Sequence, residues 1–424
     1  MNTASGKDAT VSGGSEVTSS DDNSWSAPTV EQPFTKNDKD WWEADKAHFL
    51  FPRGIVVGKR NNKKCKYADV MLSVDHQGTN CPSGEGSVTF GNKNIASGES
   101  ATVTGGFKNE ARGEVSAVMG GQQNQVSKGK ASSIAGGFNN IATGTASVVA
   151  GGQDNKAKGD NSSIAGGSKN EATGGHSHIS SGMSNIAAGE GAFVSGGKGN
   201  TASGYYASAV CGGENNEATH DLSTVVGGKS NKAISRYSSV FGGLENDASG
   251  EYSSISGGKE NIAAGPHSSV SGGVSNKANG PYSSVTAGQG NQATGKYSSI
   301  TAGMNNIVRG ECSSVTGGSK NSVMGKYASV SSGNSNKADE EHSSVSGGRN
   351  NRATGKYSSV SAGTLNTASG SFSSVSGGRD NKATKNFSSV LGGFKNEAYG
   401  TYSSVGGGHL KKATATYEFI PKVE

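Results

Sequence analysis

From residue 84 to residue 408, polar and apolar positions return every fifteen residues along the pattern Tyr-Ser-Ser-Val-Ser-Gly-Gly-x-x-Asn-x-Ala-x-Gly-x. The stretch from Tyr252 to Gly265 is a clean copy. Within it, Ser253-Ser254-Ile255-Ser256 alternates polar and apolar, the two-residue period of a strand with one buried face. Asn261-Ile262-Ala263 repeats that alternation with a smaller inward residue. Gly257-Gly258 and Gly265 stand where the chain must turn sharply, and glycine accepts positive φ without steric cost. In a helix interior each such glycine would cost about 1 kcal/mol, which excludes helix. The pattern therefore predicts an all-β chain, a parallel β-solenoid or β-roll in which each copy is one coil of two short strands.

Stacking identical coils puts Val on Val, Ala on Ala and Asn on Asn, at about 4.8 Å per coil. The asparagine is the most regular position. It recurs at 94, 109, 124, 140, 155, 170, 185, 200 and 216. It continues as Asn231, Asn246, Asn261, Asn276, Asn291, Asn306, Asn321, Asn336, Asn351, Asn366, Asn381 and Asn396. Single insertions near Lys128 and Tyr205 slip the count by one, after which it resumes. The expected role is structural: amides donating and accepting along the stack, satisfying polar groups near a turn. One coil buries too little apolar surface to stand alone, so the array must be cooperative along its length. Three chains wound about one axis would add burial, and a homotrimer is the expected assembly.

The repeats divide the chain into four parts: a partial repeat at 1–14, a non-repetitive insert at 15–83, the rod at 84–408 and a C-terminal cap at 409–424. The insert holds Trp25, Trp41 and Trp42, the run Phe49-Leu50-Phe51-Pro52, and Ile55-Val56-Val57. Tyr67 to Val74 reads as a strand. The insert reads first as a cap shielding the end of the stack, and alternatively as a recognition head. The basic residues Arg53, Lys59, Arg60, Lys63, Lys64 and Lys66 read as solvated charge. After Gly408 the asparagine is lost, and Tyr417-Glu418-Phe419-Ile420-Pro421 reads as a closing strand stopped by proline.

Composition sharpens this picture. With 68 glycines and only 31% hydrophobic residues, the chain cannot build several compact cores. Without the period it would read as disordered. The 39 Lys and Arg against 34 Asp and Glu give +5, with no basic stripe, so a nucleic-acid partner is not expected. No apolar run has the length of a membrane-spanning helix. The N-terminus lacks the apolar core of a secretory signal, and residues 4–14 read as a repeat cut open, so the native start is expected to be missing. Of the four cysteines, Cys211 and Cys312 occupy variable repeat slots, whereas Cys65 and Cys81 share the insert, where a disulfide and two free thiols are both open readings.

Two known families carry similar patterns. The segment Ser87-Val88-Thr89-Phe90-Gly91-Asn92-Lys93-Asn94-Ile95-Ala96-Ser97-Gly98 resembles the head repeats of YadA-like trimeric autotransporter adhesins, a left-handed parallel β-roll. Later copies depart from that motif, because the second inward position becomes glycine, as at Gly257, and each coil is one residue longer. Neither coiled-coil stalk heptads nor membrane-anchor strands follow. The resemblance implies a trimer at the cell surface or outside the cell, a head or fibre module binding a cell, matrix or glycan surface by repeated weak contacts. The halves Gly-x-x-Asn-x-Ala-x-Gly and x-Ser-Ser-Val-Ser-Gly are similar to the grass-type ice-binding β-roll. That implies the alternative, a monomer binding ice or another crystal surface through a face such as Ser284, Thr286, Ser299 and Thr301. The tyrosine column at 252, 282, 297, 327 and 357 would roughen such a face.

Catalytic and cofactor chemistry finds no constellation. His176, His178, His220 and His267 fall in variable slots without metal-ligand spacing, and the Gly-Gly pairs open no helix that would cradle a phosphate. Calcium-binding rolls need Asp where these repeats place Asn and Ala. No Ser-His-Asp set or carboxylate pair recurs. The expectation is a non-enzyme without cofactor or metal.

Overall fold

A computed structural model of the chain describes residues 65–67, 71–75 and 78–421, together with the strand backbones Thr3–Ala4, Thr10–Val11, Thr18–Ser19, Trp25–Ser26, Thr35–Lys36, Trp42–Glu43 and Ile55–Gly58. Two compact units are present, residues 1–54 and 55–424. The second is an all-β parallel solenoid of about 23 coils of about fifteen residues, without helix among the described residues.

Each coil contributes two strands of two residues. Ser254–Ile255 stacks in parallel on Ser239–Val240 and under Ser269–Val270, and Ile262–Ala263 does the same between Asp247–Ala248 and Lys277–Ala278. The result is a valine ladder and an alanine ladder running the length of the rod. A third column of single parallel bridges, such as Leu244 to Lys259 to Val274, holds the turn between them. Most backbone hydrogen bonds run from coil to coil, for example from Ser254 N–H to the Ser268 carbonyl at 3.0 Å and from Ile262 N–H to the Asn276 carbonyl at 2.8 Å. Local turn bonds, such as Ser253 N–H to the Gly250 carbonyl at 3.0 Å, close the corners.

Four side chains per coil point inward. In the Tyr252 coil these are Ser253, Ile255, Asn261 and Ala263, all without solvent exposure. The core is one Val or Ile thick on one wall and one Ala thick on the other, with Val126, Val308 and Val323 in the alanine wall. That column of apolar side chains is closed within a single chain. Core burial, the physical ground for expecting three chains about one axis, is thus already met by one.

The ladders extend beyond the limits read from the repeats. Ile55–Gly58 pairs with Met71–Asp75, which pairs with Ser87–Phe90, so part of the 15–83 insert forms the first turns of the solenoid. Cys81–Pro82 pairs with Ile95–Ala96 in the alanine ladder. At the other end, Lys412–Ala413 and Phe419–Ile420 complete a last coil on Glu397–Ala398 and Ser404–Val405. There Lys411 N–H takes the asparagine's place on Asn396 Oδ1 at 2.9 Å, and Glu418 Oε2 accepts from Thr414 and Ala415 N–H. A carboxylate thus satisfies donors that a following coil would have met. In the first unit, Thr3–Ala4 lies parallel to Thr18–Ser19 and Thr10–Val11 to Trp25–Ser26, the same fifteen-residue offset. Thr35–Lys36 and Trp42–Glu43 form an antiparallel pair. The side chains of Trp25 and Trp42, Trp41, residues 49–52, and Arg53, Lys59, Arg60, Lys63 and Lys64 lie outside the described residues.

Candidate functional site: the outer columns of the rod

The asparagines expected to form a ladder along the stack do so, and their partners are mainly the backbone polar groups of the turns. Asn231, Asn246, Asn261, Asn276, Asn291, Asn306, Asn321, Asn336, Asn351, Asn366, Asn381 and Asn396 are all buried. Asn261 Nδ2 donates to the Gly257 carbonyl of its own coil at 2.9 Å and to the Gly273 carbonyl of the next at 3.0 Å. Its Oδ1 accepts from the backbone N–H of Asn276 at 3.0 Å. The amides therefore bond mainly to backbone, and side-chain-to-side-chain contacts occur only in places, such as Asn306 Nδ2 to Asn291 Oδ1 at 3.1 Å. The column begins one coil earlier than the repeats indicate, at Asn80, whose Oδ1 accepts from Asn94 N–H at 2.9 Å. These groups are spent on the fold and are closed to a ligand. Cys65 and Cys81 form a disulfide beside Tyr67 and Met71 at the start of the rod.

What remains for function is the outside, and the two ladders differ there. Outward positions of the alanine ladder are charged or mixed: Lys232, Asp247, Lys277, Lys337, Arg352, Lys382 and Glu397. Some are paired along the rod, as Glu397 is with Lys412 at 3.0 Å and with Lys382 at 3.5 Å. Burial raises the Glu397 carboxyl, but the Lys412 hydrogen bond and the charges of Lys412 and Lys382 outweigh it and hold it below the usual range.

Outward positions of the described valine-ladder strands from Ser87 onward hold no Lys, Arg, Asp or Glu. From the coil of Ser254 and Ser256 to the coil of Ser374 and Ser376, every coil presents two hydroxyls, one on each side of the inward Val or Ile. Ser284 with Thr286, Ser299 with Thr301, and Ser314 with Thr316 form the middle of this run. Strand geometry spaces them by roughly 4.8 Å along the rod and about 6.7 Å across it. Among the described residues none of these hydroxyls is engaged in a hydrogen bond within the chain. Nearer the N-terminus the same slots hold Ala117 and Met119, Val148 and Ala150, and Phe193. The fold is the same there, so the hydroxyl array is a property of one stretch of the rod rather than a demand of the coil.

One edge of this face carries a column that the sequence pattern shows only as recurrent tyrosines. At fifteen-residue intervals stand Tyr237, Tyr252, His267, Tyr282 and Tyr297, then Cys312, then Tyr327, His342, Tyr357, Phe372, Phe387, Tyr402 and Tyr417. All have φ between 53° and 63°. Successive rings stack face to face, as Tyr252 does on His267 and Tyr357 on Phe372, with centroids 4.7 and 4.8 Å apart and planes within 1°. Rings inside each stacked run bury both faces against their neighbours and turn an edge outward, while Tyr297 and Tyr327 each have Cys312 on one side and Tyr237 and Tyr417 end the column. The hydroxyl face is therefore bordered by this column, not interrupted by it.

No group of His, Cys, Asp or Glu able to hold a metal occurs among the described residues. His178 is used locally, bonding Ser163 Oγ at 2.6 Å and stacking on Phe193. No family model matches this chain, and no curated protein matches it.

Proposed function

We propose that this protein is a non-catalytic adhesive rod whose valine-ladder face engages an extended hydroxyl-bearing surface, foremost matrix or wall polysaccharide, through many weak hydrogen bonds at once. The observation that carries this reading is the run of paired outward hydroxyls from Ser254 to Ser376, uncharged and unused within the chain. A single serine binds a sugar hydroxyl weakly. A rigid array gains by avidity when its partner presents groups at matching intervals. The absence of Lys, Arg, Asp and Glu from that stretch of the face favours an uncharged partner over an ionic mineral or an acidic polymer. The resemblance to adhesin-head repeats supports the same class, together with a cell-surface or extracellular setting. Such a rod would be on the order of 110 Å long.

A second reading, ice, is favoured by one feature. Thr286, Thr301 and Thr316 follow one another on the more exposed hydroxyl column, where each adds a rotamer-restricted methyl beside its hydroxyl. One pair of assays on the full chain separates the two: co-sedimentation with insoluble cellulose and chitin, and thermal hysteresis with ice-affinity partitioning. Thr301→Lys with Ser329→Lys is expected to weaken the productive interaction by roughly tenfold or more, since two charged side chains lift the face off its partner. Lys277→Ser, on the alanine ladder, is expected to leave it unchanged. Absence of binding in all assays, or equal losses from both substitutions, overturns the proposal.

A further inference from the structure

We infer that the aromatic column is a self-association surface, which joins two copies of this chain side by side in antiparallel orientation. The fold does not require rings at this position. In the N-terminal half of the rod the same backbone site, with φ near 55°, holds Val115, Ala131, Ala146 and Asn161. A non-glycine residue there carries a penalty of about 1–2 kcal/mol. Stacking returns about 0.5–1.5 kcal/mol per ring pair, so intrachain stacking does little more than offset it. Rings nonetheless run almost without a break from Tyr237 to Tyr417.

Their exposure is large. Tyr282 is 47% and Phe372 50% exposed. With about half of the roughly 150–250 Å² that an aromatic carries left open on each ring, the strip amounts to on the order of 1,000 Å². A monomer's largest apolar patch is about 300–600 Å², and a standard interface takes about 800 Å² from each partner. Ligands that bind by stacking, sugars or bases, need ring faces, and within the stacked runs these are closed by the neighbouring rings. Ring edges at one fixed interval stay in contact over many coils only with a partner of the same interval, and a second copy has it by construction.

Charge beside the rings selects the register. The residue before each ring gives Lys296, Glu311, Lys326, Glu341 and Lys356 in successive coils. Along one chain Lys326 already pairs with Glu311 at 3.2 Å and Lys356 with Glu341 at 3.3 Å. A two-fold axis crossing the column between Glu311 and Lys326 adds partners across the seam, Glu311 opposite Lys326 and Lys296 opposite Glu341, and leaves Lys356 opposite Pro281. No like charges meet, and Tyr282 lies level with Tyr357. These exposed pairs set orientation more than affinity.

The test is the mass of the full chain by light scattering across concentrations, in a Cys211→Ser, Cys312→Ser background that removes the two free thiols. The expected mass is about twice 42.6 kDa. Tyr282→Asn, Tyr297→Asn, Tyr327→Asn and Tyr357→Asn together are expected to raise the dissociation constant by roughly tenfold or more. Asparagine already occupies this backbone site at Asn161, so circular dichroism should be unchanged. Phe241→Ser with Leu391→Ser, exposed apolar residues off the column, should leave the dimer intact. Lys296→Glu, at a lysine without an ion pair within the chain among the described residues, should weaken the dimer, and adding Glu341→Lys, three coils away in the same chain, should restore it. A monomer up to about 100 µM, a trimer, or a dimer indifferent to the ring substitutions overturns the inference. The readout is mass and needs no ligand, so it stands apart from what the hydroxyl face binds.

Discussion

At Gly258 the backbone takes φ +91°, and a Cβ there would lie 2.2 Å from the Gly273 carbonyl oxygen of the next coil and 2.5 Å from Asn261 Nδ2. At Gly257, one residue earlier, a Cβ would meet nothing within 4 Å. The repeats record this difference. The second glycine of the pair is kept in coil after coil, while the first is replaced by Ser181, Ala287, Ala302, Ser332 and Ala362. Two residue types that look equivalent in one consensus thus have separate physical reasons. Gly258→Ala is expected to destabilise the rod by about 3 kcal/mol, combining an unfavourable φ with a clash against the neighbouring coil. Gly257→Ala should be neutral within about 0.5 kcal/mol. Urea denaturation followed by circular dichroism measures both. The periodicity marks glycine at both positions, and only the coil-to-coil approach tells which one is indispensable.

Within the alanine ladder, outward carboxylates have different fates according to their neighbours along the column. Glu397 lies between two lysines and is held ionised. Asp247 sits between Lys232 and Ile262, with one carboxylate oxygen buried and unpaired. Burial lifts its carboxyl above the usual range, Ser249 and Lys232 oppose without cancelling, and Glu217 adds to the rise. The folded chain therefore keeps this proton to higher pH than the unfolded chain. Its ionisation costs stability, a cost absent below the ordinary carboxylate range and complete once pH exceeds the raised value. Asp247→Asn should raise the thermal midpoint at pH 7, and the gain should vanish as pH falls through the carboxylate range. A gain that persists in acid would exclude this cause. Asp339, also lifted by burial, should behave alike. That both positions face outward was legible from the strand alternation. Which carboxylate is held ionised by its lysines and which stays lifted by burial was not, because it depends on the coils above and below.

As a whole the solenoid is a one-dimensional stack in which each coil meets only its neighbours. Any single coil is then dispensable, provided the deletion preserves register. Removing residues 254–268 joins Ser253 to Ser269 and returns Val to Val and Ala to Ala in both ladders. The shortened rod should fold with a thermal midpoint within about 3 °C of the parent. Removing only 254–260 joins Ser253 to Asn261 and brings alanine-ladder residues into the valine ladder, which should break the stack at that coil. Differential scanning calorimetry separates these outcomes: one transition near the parent's for the first deletion, a lowered or split transition for the second.

The sequence by itself determined the coil length, the two strands per coil, the inward Val, Ala and Asn columns and the closing strand after Gly408. All of these follow from a period that is the same along the chain and between coils. Only the tertiary structure decided what each column touches. The asparagine amides could have bonded to one another, but carbonyls and N–H groups of the turns lie nearer and take them. The insert could have stood apart, but its alternating strand at Met71–Asp75 pairs into the valine ladder and draws Asn80 into the asparagine column. The tyrosines could have spread over the hydroxyl face. A left-handed backbone conformation two residues before each valine-ladder strand instead points them along the edge, where stacking on the next coil closes their faces and leaves the hydroxyls open. A period fixes which residues become neighbours, while the direction of each side chain depends on local φ and on the polar groups brought near it by the coils on either side.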